Sequence, residues 1–278
     1  MVPDYDELDP ALIIDETPAI VWPKLQVVGF SEIASTNEEA LRLAREGAPG
    51  GTLVFAESQT AGKGRKGRLW ISPPRTGLYF SLILRPERPR SCWPLLTHVA
   101  AVALACSLLE LSEAGLIPRP LELELKWPND VLLLGKKAAG ILLETAGIGG
   151  AISAAVVGVG INVGRGGLPA GLQDQATSVS EAAGIAVPRR RVLVRFLYHI
   201  QRGYDLFVRG RDQEIIDQWK RLSRMWHDTP VWILENDHMH PAVTLGLTET
   251  GALMVRKQDG TVETILAGDV TIRRSARE

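Results

Sequence analysis

Four strand-like segments, at residues 121–126, 131–134, 138–145 and 152–159, succeed one another with little but Pro-Asn-Asp and glycine turns between them. Connections that short cannot carry the crossover helix that a parallel pair needs, so hairpins within an antiparallel or mixed sheet are expected. Further strands are expected at 25–30, 52–56 and 78–84. Thr36, with Glu39 three residues on and Ala40, Leu41 and Ala44 behind it, signals a capped helix beginning at the Ser35-Thr36-Asn37 segment. Other helices are expected over 93–114, from a Ser178 cap with Glu181 three residues on, over 189–209 and over 211–221.

Beyond Thr229 the pattern changes to VWIL, AVTLGL, ALMVRK, TVETIL and VTIRR, broken by Asn-Asp, Thr-Gly and Asp-Gly turns. Short strands on tight turns suggest a small β-barrel of the SH3 type. The expected class is therefore α+β: a mixed sheet flanked by helices over residues 25–227, then a β module over 228–278. Residues 1–24, rich in Asp, Glu and Pro and without a sustained period, read as an extension. His238 and His240, an i, i+2 pair expected in a polar turn, are read as solvated and non-catalytic.

The 278 residues carry a formal net charge of −1, so the basic excess of a nucleic-acid binder is missing and any basic site must be local. Cys92 and Cys106 have no CxxC partner and no histidine at ligand spacing; they read as reduced core residues of a cytoplasmic protein. The acidic start MVPDYDELDP lacks the regions of a signal peptide, and the longest clean apolar run, 99–109, is too short to cross a bilayer. Neither nucleic acid nor membrane is expected as a partner.

The local basic site lies at 57–75, ESQTAGKGRKGRLWISPPR, where Lys63, Arg65, Lys66, Arg68 and Arg75 follow Glu57 with no second acid among them. A polyanion suits it. Gly62, Gly64 and Gly67 let backbone N–H groups approach phosphate oxygens, arginine grips them with a planar fork, and Trp70 offers a flat face to a purine. A solvated basic loop is the competing reading. The glycines match G-x-G-x-x-G, yet Leu69-Trp70-Ile71-Ser72-Pro73-Pro74 follows where a dinucleotide fold would open a helix, and no Walker A sequence is present.

Lys126-Trp127-Pro128-Asn129-Asp130 brings a cation, an amide and a carboxylate to one turn. Lys126 and Asn129 can approach phosphate and Asp130 can help to hold a hard cation, although Pro-Asn-Asp is also ordinary turn chemistry. Lys136-Lys137 stands directly before a buried strand that contains Gly140. Gly158 and Gly160 lie inside another, where absent side chains leave room for a flat ligand or for close helix packing.

Taken in order, the Ser-Thr-Asn segment, AGKGRKGRLW, KWPNDV, KKAAGILLE and GVGINV resemble the motifs of the biotin protein ligases, over roughly residues 25 to 275. The resemblance implies a catalytic domain related to class II aminoacyl-tRNA synthetases and lipoate ligases. It implies an enzyme that makes biotinyl-5'-AMP from biotin and ATP with Mg2+ and passes biotin to a lysine of a biotin carboxyl carrier protein. By the same resemblance Ser35, Thr36 and Gln59 meet the ureido ring, with the backbone around Gly62 and Gly140 beside it, and Asn37, Lys63, Gly64, Gly158 and Gly160 also belong to the biotin site. Arg65 and Lys137 would be the catalytic pair, contacting the biotin carboxylate and the adenylate phosphate. Arg68, Trp70, Lys126, Asn129 and Asn162 would face the nucleotide, and Asp130 the magnesium ion.

One position departs from the pattern. The family loop commonly reads Gly-Arg-Gly-Arg, and Lys63 keeps the charge but loses the fork, which places the main phosphate contact on Arg65. A homodimer is a further expectation of the resemblance. Lipoate or octanoate transfer, a biotin-sensing regulator and a non-catalytic binding module are the alternatives. The Gly-Arg loop followed by Trp70 favours biotin, residues 1–24 are too short and too acidic for a DNA-binding domain, and a filled Lys137 position favours catalysis.

Overall fold

The computed structural model describes residues 6, 8–18, 22, 24–118, 120–148, 151–235, 238–266 and 271–274. Strands β1 (Gln26–Phe30), β2 (Thr52–Ala56), β3 (Gly77–Leu84), β4 (Leu123–Lys126), β5 (Asp130–Leu133), β6 (Lys136–Ile148) and β7 (Ala151–Asn162) form one sheet in the order β1-β2-β3-β7-β6-β5-β4. The first pair is parallel and the rest are antiparallel, which is the mixed sheet that the short turns dictated. β6 and β7 outrun their expected lengths because their ladder continues through the glycines to Ala139↔Ile161 at one end and Ile148↔Ala151 at the other.

Helices α1 (Pro10–Glu16), α2 (Thr36–Arg45), α3 (Leu95–Glu113), α4 (Val179–Ala183), α5 (Arg189–Val208) and α6 (Asp212–Arg221) cover the sheet unequally. Leu78, Phe80, Leu82 and Leu84 of β3, with Val157, Val159 and Ile161 of β7, turn one face toward α3 and α5 and build the larger core. Ile83 and Val156 turn the other way and meet Ala40, Leu41 and Ala44 of α2. α3 has the length and apolarity of a membrane span, yet 78% of its apolar window is buried, between the sheet and helices α5 and α6. A helix enclosed on all sides is apolar all round, so its composition reports position in the core.

Two local expectations differ from the structure. Residues 1–24 contain a helix: Asp9 caps α1 by accepting from Ala11 N–H at 2.8 Å and Leu12 N–H at 3.1 Å, and Ile13 is fully buried. Seven residues are too few to show a period, and packing rather than propensity holds so short a helix. Thr36 and Glu39 form no capping box, since Ser35 is the N-cap of α2 and Glu39 pairs with Arg42. The Ser178–Glu181 box at α4 does form.

Strands β8 (Pro230–Glu235), β9 (His238–Leu247), β10 (Leu253–Lys257), β11 (Val262–Ile265) and β12 (Thr271–Arg274) make a second, antiparallel sheet in the order β11-β10-β9-β8-β12. His238 and His240 lie exposed on β9 rather than in a turn. The expected Asn236-Asp237 turn and Val270 lie outside the described residues.

Candidate active site

Strand register decides where a cleft can open. Directly opposed residues share a face, so Ser81, Gly158 and Leu142 form one row across β3, β7 and β6, and Tyr79, Gly160 and Gly140 the next. The first α2 turn lies over the former row: a Cβ added to Gly158 would overlap the Asn37 amide. Gly140 and Gly160 of the latter row form the floor of a cleft. Its walls are the start of α2, the loop at residues 63–70 and the turn at 126–130.

One end of this cleft is neutral and rich in hydrogen-bonding groups. Gln59 Oε1 accepts from Thr36 N–H at 2.9 Å and faces the Thr36 hydroxyl at 3.2 Å, while its amide Nε2 donates to Ser72 Oγ at 2.8 Å. Ser35 makes no capping bond, and its buried hydroxyl has no partner among the described residues. A buried hydroxyl without a partner costs free energy, so an occupant is the physical reason to keep it.

The other end is cationic. Lys63, Arg65, Lys66, Arg68, Lys126 and Lys137 line the cleft against one lining carboxylate, Asp130. Lys137 Nζ stands 2.6 Å from Asp130 Oδ1, and Arg65 Nη1 donates to Asn129 Oδ1 at 3.0 Å. Asn129 is held in turn by its Nδ2, which donates to Ile141 O at 2.7 Å. Lys63 reaches away from this group to Glu38, 2.7 Å distant, and that hydrogen bond raises its pKa above the usual lysine value.

The loop itself is a tight excursion. Trp70 N–H donates to Gly62 O, Gly64 N–H donates to Arg68 O, and the chain turns where Lys66 and Gly67 take φ of +56° and +69°. Arg65–Gly67 form a single 3-10 turn, and no α-helix opens after it, as the two prolines required. Trp70 lies on the glycine floor: a Cβ on Gly160 would stand 2.5 Å from its indole, and one on Gly140 3.1 Å. Lys137 Nζ sits 5.3 Å from the ring centroid, within cation–π range. The flat group for which these glycines leave room is, in this structure, the protein's own tryptophan, whose buried Nε1 has no partner among the described residues.

Most of the expected site residues converge here. Asn162 does not line the cleft; its amide donates to Thr177 O at 3.2 Å, behind the β7 terminus. Gly62 does not line it either, and a side chain there would overlap Trp70 O. Sequence reasoning passed over Ser81, the one serine in the largely apolar strand β3, and Glu144, which binds Asn37. It also passed over the bond from Trp127 Nε1 to Gly251 O, 3.0 Å, by which the second sheet grips the 126–130 turn.

Comparison with known proteins agrees with this arrangement. The sequence model of the biotin/lipoate A/B protein ligase family matches residues 30–162. The bifunctional ligase/repressor BirA of Bacillus subtilis is 33% identical over 249 residues, covering 86% of this chain and 72% of its own. A biotin--[acetyl-CoA-carboxylase] ligase of Mycobacterium tuberculosis is 37% identical over 182 residues, 65% of this chain and 64% of that protein. The biotin protein ligase of Aquifex aeolicus, solved with biotin and ATP, superposes with a TM-score of 0.72 at 30% identity, over 90% of this chain and 99% of that one. By this likeness in sequence and fold, the chain belongs to the biotin/lipoate A/B protein ligase family, among its biotin protein ligases.

Proposed function

We propose that the chain is a biotin--[biotin carboxyl carrier protein] ligase. It activates biotin with ATP as biotinyl-5'-AMP and transfers the biotinyl group to a lysine of a carrier protein. The observation that carries this reading is one cleft with two chemistries: a neutral end at the buried Ser35, Thr36 and Asn37 and the half-buried Gln59, and a cationic end at Arg65, Lys126 and Lys137. Such a cleft suits a neutral polar ring that carries an acid, together with a nucleotide.

In the first step a carboxylate oxygen of biotin attacks the α-phosphorus of ATP and pyrophosphate leaves. In the second the carrier amine attacks the carbonyl of the mixed anhydride, AMP leaves, and an amide forms with loss of a proton. Two anions must meet first. Lys137 and Arg65 offset their repulsion and stabilise charge that builds on the phosphorus oxygens, so catalysis is positioning and electrostatics without a protein nucleophile. The 63–70 loop, with Arg68 and Trp70, faces the nucleotide, and closing it over the anhydride would exclude water.

Magnesium fits the donor set as a companion of the nucleotide. Among the described residues no group of three metal-ligating side chains forms, and Asp130 is the one carboxylate in the cleft lining. One carboxylate plus substrate phosphates is a usual magnesium environment, in which the ion offsets phosphate charge. The same reading divides the chain into 1–24, 25–227 and 228–278. It places the protein in the cytoplasm, in keeping with unpaired Cys92 and Cys106, and expects a homodimer, which sedimentation analysis decides.

The test is biotin-dependent exchange of labelled pyrophosphate into ATP, run with biotin and with lipoate and repeated with Lys137→Ala. Exchange with biotin alone, lost in the variant, supports the ligase. Exchange with lipoate alone moves the chain to the other half of its family, and none with either acid sinks the adenylation reading.

A further inference from the structure

Four polar side chains run without a break across the α2 face of the sheet into the neutral end of the cleft. Asn37 Nδ2 donates to Glu144 Oε2 at 2.6 Å, Ser81 Oγ donates to Asn37 Oδ1 at 2.8 Å, and Ser81 Oγ lies 3.0 Å from Thr36 Oγ1. Ser81 is wholly buried in β3, and its neighbour across the ladder is Gly158, whose absent side chain makes the room that the Asn37 amide fills.

Counting protons gives this chain a direction. A carboxylate only accepts, so Asn37 turns Nδ2 to Glu144 and Oδ1 to Ser81. Oδ1 also only accepts, which commits the single Ser81 hydroxyl proton to it. Toward Thr36, Ser81 Oγ is then an acceptor, and so is Gln59 Oε1 on the other side. The Thr36 hydroxyl proton is drawn to one of these protein oxygens, and the remaining Thr36 lone pair is left for a donor that arrives from the cleft. Ser35 beside it keeps an uncommitted hydroxyl proton for an acceptor.

We propose that Glu144 and Ser81 are positioning residues that set the polarity of the neutral end, so that Thr36 accepts an N–H and Ser35 donates to a carbonyl. An adjacent N–H and C=O in one small ring is a cyclic urea, and this inference rests on the biotin reading above. A ring acid without N–H groups, such as a dithiolane, would leave the buried Thr36 acceptor unmet, and a site built to pair a polar group discriminates strongly against a ligand that lacks one.

Biotin affinity is measured by calorimetry without nucleotide, with KM for ATP and Tm alongside, for Ser81→Ala, Glu144→Leu, Glu144→Gln and the Ser81→Ala, Glu144→Leu double variant. Each of Ser81→Ala and Glu144→Leu weakens biotin by about tenfold, and KM for ATP stays within about twofold. The double variant loses little more than the worse single one, because the two act in series. Glu144→Gln recovers most of the loss, since its amide oxygen still accepts from Asn37. Unchanged biotin affinity in Ser81→Ala, or biotin and ATP weakening together as Tm falls, overturns the proposal and leaves the ligase reading standing. Wild-type protein that binds no biotin overturns both.

Discussion

Lys137 Nζ and Asp130 Oδ1 are 2.6 Å apart, so the lysine beside Gly140 and the single carboxylate lining the cleft form one ion pair. The pair is formed across a hairpin: Asp130 opens β5 and Lys137 lies near the start of β6, opposite Leu132. Asp130 thus holds the ammonium group over the glycine floor.

Lys137→Ala is expected to lower the pyrophosphate exchange rate by roughly two to three orders of magnitude, the usual effect of removing a group that stabilises transition-state charge. Biotin binding without nucleotide should change far less. A variant that keeps a tenth of the wild-type rate would remove Lys137 from the catalytic role.

Asn129 is gripped from both sides, by Arg65 at 3.0 Å and through its own bond to Ile141 O at 2.7 Å. Asn129→Ala removes one hydrogen bond that positions Arg65 and should raise KM for ATP by about tenfold, the loss of one or two polar contacts. Initial-rate kinetics with biotin saturating separates this from an effect on biotin.

Gly160→Ala sets a methyl group 2.5 Å from the Trp70 indole. Overpacking of this kind costs about 1–3 kcal/mol when the neighbour cannot move. The Gly160→Ala loss of Tm should therefore vanish in a Trp70→Ala background. Losses that simply add in the double variant would show that the clash lies elsewhere.

Burial pushes the His98 imidazole down to about 4, from a usual value of 6.5. The unfolded chain then binds a proton that the folded chain does not, so stability is complete above pH 6.5 and falls as the pH drops toward 4. The shift corresponds to about 3 kcal/mol at full development. Urea unfolding at pH 7 and pH 4.5, compared with His98→Phe, isolates the contribution of this ring; an identical pH slope in the variant would exclude it.

Arg189, nearly fully buried, binds Glu57 at 2.6 Å and Asp6 at 3.1 Å, and so ties Asp6 to the strand end that leads into Gln59. Arg189→Met leaves two carboxylates together with little solvent. A loss of about 3–5 kcal/mol in chemical unfolding is expected, as for other broken buried pairs.

What the sequence determined by itself is local. Turns too short for a crossover made β4 to β7 antiparallel, prolines 73 and 74 barred a helix after the basic loop, and Ser178 with Glu181 wrote a capping box that forms as spelled. That the Ser-Thr-Asn segment, the basic loop, KWPND and Lys137 share one site was expected only through the resemblance to the biotin protein ligases, since the chemistry of each motif by itself names no neighbour. Partner choice was decided only by the tertiary structure. Asn37 meets Glu144 across 107 residues, and Trp127 meets Gly251 across 124. Ser35, spaced to cap a helix, instead keeps an unpaired hydroxyl in the cleft. None of these outcomes follows from local spacing, because strand order and register set which side chains meet. A shift of one residue would turn Ser81 and Glu144 to the opposite face and dissolve the site.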